Sequence, residues 1–357
     1  MCRWFAYISP TEPCLLEDVL VSPKHSLSKQ VHEHYLPKLL EHDHTTSEED
    51  DMKARNMLLN VDGLGIAWYT SSNSDFERGN TGESTDGAQR EGLRPAVYKT
   101  VQPPINDMNF RSLCANIESR VVFGHIRAAS STSITAVNNH PFVFGRHSFM
   151  HNGVISHFTK IRRAMSDQMS EAAFANVFGS TDSEHIAALY MTYLTDSAPA
   201  SANPFDSTHP ISKMVSAMQA AVATTIELQK KLIPEKSRLP NSLNLCVTDG
   251  TQLVAFRFRN HATSQPPSLY YSTKAGTTLN RKYPGDSDGC FTKGVTDMGK
   301  DPGEHGRHVI VASEPSTCYP EDWELIGKNR VVTVDVEGRL GEGDVGYEKG
   351  WDAEGTA

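Results

Sequence analysis

Cys2 is the first residue of this chain that can do chemistry. A small side chain after Met1 permits removal of that methionine, which leaves Cys2 with a thiol and a free α-amine, a nucleophile and a base on one residue. An α-amine titrates at about 8, close to working pH, so it is poised to take the thiol proton. An incidental cysteine is the alternative, and its position alone does not decide. Arg127 stands where the apolar run 120–126 gives way to a loop, and its guanidinium can fork onto a carboxylate or settle into a structural ion pair. Asn152-Gly153 follows another β-rich run. It offers an amide side chain and an unobstructed backbone N–H, the two donor types of an oxyanion hole, and it equally suits a turn. Asp182 follows Thr181 and either favours a helix N-terminus or binds an ammonium group.

Other candidates carry less. His125, His140 and His151 are read as packing or supporting hydrogen-bond groups, because the α-amine already fills the role of base. His25, His32, His34, His42 and His44 lack zinc-type spacing and are read as a solvated surface, so neither a metal nor a cofactor is expected. Asp62-Gly63 and Gly65 either shape a pocket wall or form a structural turn.

These residues need elements to position them. Cys2, Trp4, Ala6 and Ile8 alternate with Arg3, Phe5 and Tyr7, the pattern of a strand starting at the first residues. Further strands are expected at 64–70, 95–101, 120–126, 268–273, 308–313 and 330–336. Hairpins are expected at 142–150 around Gly145-Arg146 and at 243–258 around Asp249-Gly250. A helix over 182–194 shows Ile186, Leu189, Tyr190 and Tyr193 at helical spacing behind the capping-box pattern Thr181-Asp182-Ser183-Glu184. Two more helices are expected at 156–168 and 211–232. Polar stretches near 42–56, 71–94, 196–209 and 274–306 read as surface insertions and do not split the strands into self-contained sets. The expectation is one α+β domain over 2–340, with a flexible tail at 341–357.

Composition narrows the function classes. Thirty-four Lys plus Arg against 43 Asp plus Glu leave a net charge of -9, the wrong sign for gripping nucleic acid through its phosphates. No apolar run approaches the roughly 20 residues that cross a bilayer. Six cysteines without a C-x-x-C pair indicate neither a disulfide scaffold nor a zinc knuckle, and a reducing, cytoplasmic setting is expected.

In combination the motifs say more. Met1-Cys2-Arg3, Asp62-Gly63-Leu64-Gly65-Ile66-Ala67-Trp68-Tyr69, Gly124-His125-Ile126-Arg127, His140-Pro141-Phe142, His151-Asn152-Gly153 and Ser180-Thr181-Asp182-Ser183-Glu184 occur in that order. With Val309 to Ser313 and Glu314-Pro315, they make the chain resemble the class II glutamine amidotransferases, which are N-terminal-nucleophile hydrolases. Within that family the resemblance is nearest to the amidotransferase subunit of fungal glutathione degradation and the amidohydrolase of ergothioneine synthesis. The Asn60-Val61 preceding Asp62 and the acidic insertion depart from the pattern of many relatives.

The resemblance implies a four-layer αββα sandwich in which Cys2 attacks the amide of a γ-glutamyl compound and forms a thioester. It implies that Asn152 Nδ2 and the Gly153 N–H hold the oxyanion, that Arg127 binds the α-carboxylate and that Asp182 binds the α-ammonium. It further implies a γ-glutamyl small-molecule substrate such as glutathione and a protein partner resembling a metallopeptidase, with neither nucleic acid nor membrane involved. A glutaminase subunit supplying ammonia to a separate synthetase and a catalytically silent scaffold are the alternatives. The length leaves no room for a synthetase domain.

Overall fold

Two antiparallel sheets stacked face to face carry the molecule. The computed structural model describes residues 2–31, 60–75, 92–129, 132–196, 204–283 and 300–353. The first sheet has the order β13 (Glu324–Leu325), β11 (Tyr270–Ser272), β12 (Val309–Ala312), β1 (Arg3–Ile8), β6 (Val121–Ile126), β3 (Leu64–Thr70) and β4 (Arg94–Thr100). The second runs β15 (Leu340–Asp344), β14 (Arg330–Val334), β10 (Leu253–Arg259), β9 (Ser242–Thr248), β8 (His147–Val154) and β7 (Phe142–Phe144), and β2 (Cys14–Leu15) pairs with β5 (Glu118–Ser119) in a small two-stranded sheet.

The alternation along each strand fills three apolar layers. Trp4, Ala6 and Ile8 of β1 meet Met150, Cys246, Ala255 and Val332 between the sheets. Phe5 and Tyr7, one residue out of phase, pack on the other face with Leu16, Val19, Leu20, Phe110, Cys114 and Leu279 from short helices. Beyond the second sheet, Phe149, Leu245, Val247, Val254 and Phe256 pack against Ile161, Ile186, Leu189, Met214, Met218 and Val222. These come from helices Phe158–Ser166, Asp182–Leu194 and Ile211–Leu232. Each such large side chain contributes about 1.5–3 kcal/mol by leaving water. The outcome is the expected four-layer αββα sandwich.

The expected strands and the three expected helices occur within two residues of their predicted ends, except that β8 runs to Val154, four residues past the expected end of the hairpin at 150. The Asp249-Gly250 turn is a four-residue loop, because Thr248 pairs with Leu253 and Asp249 Oδ1 accepts the N–H groups of Thr251 and Gln252. Thr181 caps its helix through the Glu184 N–H (3.1 Å), but Glu184 accepts from Phe178 and Gly179 rather than completing a capping box.

The tail beginning at 341 needs correction. Residues 340–344 extend the second sheet by pairing with β14, and Val345 and Trp351 enter the helix-side core. Apolar residues this widely spaced produce no strand or helix period, although Trp351 is nearly fully buried. The insertion at 42–56 and most of 71–94 lie outside the described residues. Cys2, Cys14, Cys114 and Cys246 are free, whereas Cys318 is disulfide-bonded, which the cysteine spacing does not anticipate. Among the described residues no helix is long and apolar enough to cross a membrane.

Gly65 settles into the structural half of its two readings. A Cβ there would lie 1.8 Å from the His140 carbonyl oxygen, and one on Gly63 would lie 2.2 Å from Asn139 Nδ2. We expect Gly65→Ala to destabilise the fold by roughly 3 kcal/mol, since backbone cannot step aside as a side chain does. A urea midpoint equal to that of the unaltered protein would contradict this packing.

Candidate active site

Strand pairing brings Cys2 to the loop that follows β6. Arg3 stands opposite Ile126, so the residue before it meets the residues just after it. The Ala128 N–H donates to Cys2 Sγ at 3.4 Å, and the thiol can return a contact to the Ala128 carbonyl at 3.7 Å. Burial pushes the Cys2 thiol up from its ordinary value, against the Ala128 N–H, Arg127 and Arg3, all of which favour thiolate. A proton acceptor beside the sulfur is therefore more useful than a free thiolate.

Arg127 lies one residue before Ala128 and is 4% exposed. Its backbone is fixed to the strand start by Arg127 N–H donating to Gly63 O (2.8 Å) and Asp62 N–H donating to Arg127 O (3.1 Å). Asp62 also accepts the Ala129 N–H at 2.7 Å. The guanidinium donates to Thr132 Oγ1 (2.5 Å), Ser133 O (3.2 Å) and Asn139 Oδ1 (3.2 Å), leaving two of its five N–H donors uncommitted among the described residues. Burial weakens the cation, while Cys2, Asp62 and Asp182 act on it in the opposite sense, so the three gather around one charge.

The other expected residues lie at the end of β8 in the second sheet and at the helix start that follows. Asn152 is 2% exposed near the end of β8, and its Oδ1 is buried without a hydrogen-bond partner. Gly153 beside it has φ +148°, and a Cβ would lie 1.8 Å from Ser242 O, so no other residue fits. Two residues on, the Ile155 N–H donates to Asp182 Oδ2 (2.8 Å), while Asp182 Oδ1 accepts from the Ser183 N–H (2.9 Å). Asp182 thus joins the helix start to the end of β8 and keeps lone pairs for another donor.

Three histidines link the two sheets and the helix start in this region. His125 Nε2 donates to His151 O across the sheets at 3.3 Å, and the His125 and His140 rings lie 4.0 Å apart. His151 Nε2 donates to Ser242 O (3.3 Å), so its Nδ1 accepts the Ser183 hydroxyl (2.9 Å). Burial holds His125 down at about 3, drives His140 well below the usual range and lowers His151. They are neutral rings within the fold.

His25 departs from its surface reading. It is 2% exposed, and its Nε2 donates to Glu314 Oε2 at 2.9 Å. Glu314 Oε1 accepts from Arg3 Nε at 2.5 Å. His32, His34, His42 and His44 lie outside the described residues. Glu314 lies in the Ala312-Ser313-Glu314-Pro315 run that carries part of the resemblance, but no role for it is read from the sequence, because residues 3 and 314 become neighbours only through the β1–β12 pairing.

Burial by itself opposes ionisation of Glu314, yet Arg3 and His25 overturn it and hold the carboxyl at about 2, from an ordinary 4.5. A depressed carboxylate stabilises the fold above its unfolded value and loses that contribution as pH falls through the folded one. We expect a loss of order 3 kcal/mol between pH 4.5 and pH 2 from this group. Urea midpoints across that range test it, and an unchanged acid slope in Glu314→Gln would exclude Glu314 as the source.

Comparison with known proteins agrees with this architecture. The chain is 27% identical over 335 residues to the probable glutamine amidotransferase DUG3 of Saccharomyces cerevisiae, an alignment spanning 94% of this chain and 82% of that protein. The solved structure of a glutamine aminotransferase class-II domain protein from Silicibacter pomeroyi is similar with a TM-score of 0.54 at 19% identity, covering 96% of this chain and 99% of that one. The model of the family described as glutamine amidotransferases class-II matches residues 52–335, a segment that starts beyond Cys2 and includes Arg127, Asn152, Gly153 and Asp182. With most of its length matched, the chain belongs to the class II glutamine amidotransferases.

Proposed function

We propose that this protein hydrolyses the γ-glutamyl amide bond of glutathione or a related γ-glutamyl compound, with Cys2 as nucleophile. The observation that carries the reading is the placement of the Cys2 thiol on the Ala128 N–H, directly beside the buried Arg127. After loss of Met1, Sγ attacks the γ-carbonyl carbon and the thiol proton passes to the Cys2 α-amine, directly or through a water. Asn152 Nδ2 and the Gly153 N–H hold the resulting oxyanion, each such donor lowering the barrier by about 3 kcal/mol. The C–N bond then breaks, and the amine leaves with the proton carried by the α-ammonium. Water attacks the γ-glutamyl thioester, returning the thiol and releasing glutamate. The uncommitted Arg127 donors take the substrate α-carboxylate and the remaining Asp182 lone pairs its α-ammonium, which selects an amino-acid head over a plain amide.

The same reading treats the chain from Cys2 through β15 and Trp351 as one catalytic domain working in the cytoplasm beside a metallopeptidase-like partner. The test is mass spectrometry for loss of Met1, with covalent labelling at Cys2 by diazo-oxo-norleucine and assays on glutathione, glutamine and other γ-glutamyl amides with and without co-purified protein. Met1 retained in an active enzyme excludes the mechanism. Free ammonia from glutamine, with glutathione untouched, replaces the substrate assignment by a glutaminase supplying a separate synthetase.

A further inference from the structure

A residue at a chain terminus has fewer covalent restraints than an interior one, and chain ends commonly fray. Cys2 is restrained by the side chain of its own neighbour. Arg3 is 5% exposed, and its guanidinium turns back so that Nη1 donates to the Cys2 carbonyl oxygen at 3.1 Å. Nε of the same group donates to Glu314 Oε1 at 2.5 Å, and His25 Nε2 donates to the other carboxylate oxygen at 2.9 Å. Glu314 is 1% exposed and His25 is 2% exposed. The backbone beside this network is zipped in both directions, Trp4 N–H to Ser313 Oγ (3.0 Å) and Ser313 N–H to Trp4 O (2.9 Å).

A buried ion pair is often no more stabilising than apolar side chains of similar size, because desolvation offsets the attraction. Stability alone therefore gives no reason for charges here. Geometry gives one. A donor on the Cys2 carbonyl holds that peptide plane, and with it the Cα from which the α-amine and the thiol project, and β1 fixes everything that follows. With Sγ also held on the Ala128 N–H, rotation about the Cys2 Cα–C bond is restrained and the α-amine is placed with it, while the Arg3 charge favours the thiolate.

We propose that Arg3, held by Glu314 and His25, is a positioning residue that clamps the Cys2 carbonyl so that the α-amine and thiol keep the orientation needed for proton transfer between them. This rests on the reading of Cys2 as the nucleophile.

The decisive variant removes the charges while keeping the volume, Arg3→Met with Glu314→Leu. The loss of the His25 acceptor is expected to lower its melting temperature, so folding is checked by circular dichroism at a temperature where the variant is native, and its KM is expected to stay within a few-fold. The kcat is expected to fall roughly 10- to 100-fold, the scale of a small misplacement of reacting groups. Labelling of Cys2 by diazo-oxo-norleucine should slow by a similar factor. Arg3→Lys, which keeps a cation beside Glu314, should recover part of the rate. Wild-type kcat and labelling in the folded double variant overturn the clamp and leave a structural ion pair. If the double variant does not fold, Arg3→Met alone, which removes the donor on the Cys2 carbonyl, is read in the same way, and wild-type rates again overturn the proposal. Absence of label at Cys2 in the unaltered enzyme removes the nucleophile reading itself, whereas equal labelling of both proteins sinks the clamp alone.

Discussion

Cys2→Ala is expected to lower hydrolysis of a γ-glutamyl substrate by roughly 10⁴-fold or more, since loss of a catalytic nucleophile leaves only binding and oxyanion stabilisation. The fold should barely notice. Cys2 lies one residue before β1, is only partly buried, and its sulfur contacts Ala128 through weak hydrogen bonds of 3.4 and 3.7 Å. A stability change within about 1 kcal/mol is expected for such a position. Circular dichroism and a urea midpoint beside the turnover assay separate chemistry from folding. A folded variant with undiminished turnover would move the nucleophile elsewhere. Cys14, Cys114 and Cys246 are poor substitutes, because burial drives each thiol far above its ordinary value and away from thiolate.

Asn152→Ala is expected to lower kcat by about 10²- to 10³-fold with KM changed only a few-fold, because an oxyanion donor acts on charge that exists only near the transition state. Asn152 Oδ1 is buried without a partner, so truncation breaks no hydrogen bond through that atom. The neighbouring Gly153 and the His151 network remain to hold the end of β8. Asn152→Asp should be at least as slow, since an ionised carboxylate offers no donor and repels an oxyanion. Steady-state kinetics on both variants decide the matter. A raised KM with kcat unchanged would mean that Asn152 grips the ground state and takes no part in the oxyanion hole.

What the sequence reveals and what it hides divide along local and distant pairing. β9 and β10 are legible because alternating apolar residues and one Asp-Gly lie within a single window. The helix from Asp182 is legible because its cap, its acidic first turn and its apolar stripe are contiguous. Cys2, Arg127, Asn152-Gly153 and Asp182 stood out by residue type at strand and helix ends, and the fold brings Cys2, Arg127 and Asp182 within electrostatic reach. Periodicity cannot show that Arg3 meets Glu314 or that His25 is buried beneath them, since that depends on β12 pairing with β1 across some 300 residues. Nor does it show the double duty of Asp182, which holds the Ile155 N–H before it can hold a substrate. β15 was hidden for a further reason. Gly341, Glu342, Gly343 and Asp344 have strand conformation but little apolar side chain to announce it.

The position of β1 between β6 and β12 also bears on how the protein is made. During synthesis the first strand emerges from the ribosome long before residues 309–312 exist, so one of its edges stays open until those residues have been made. The proposed removal of Met1 would therefore have a period of access before the β1–β12 pairing is complete. On the same proposal the Arg3–Glu314 clamp forms only after that pairing. A chain interrupted before residue 309 carries Cys2 and Arg127, yet leaves β1 without one neighbour and Arg3 without its carboxylate.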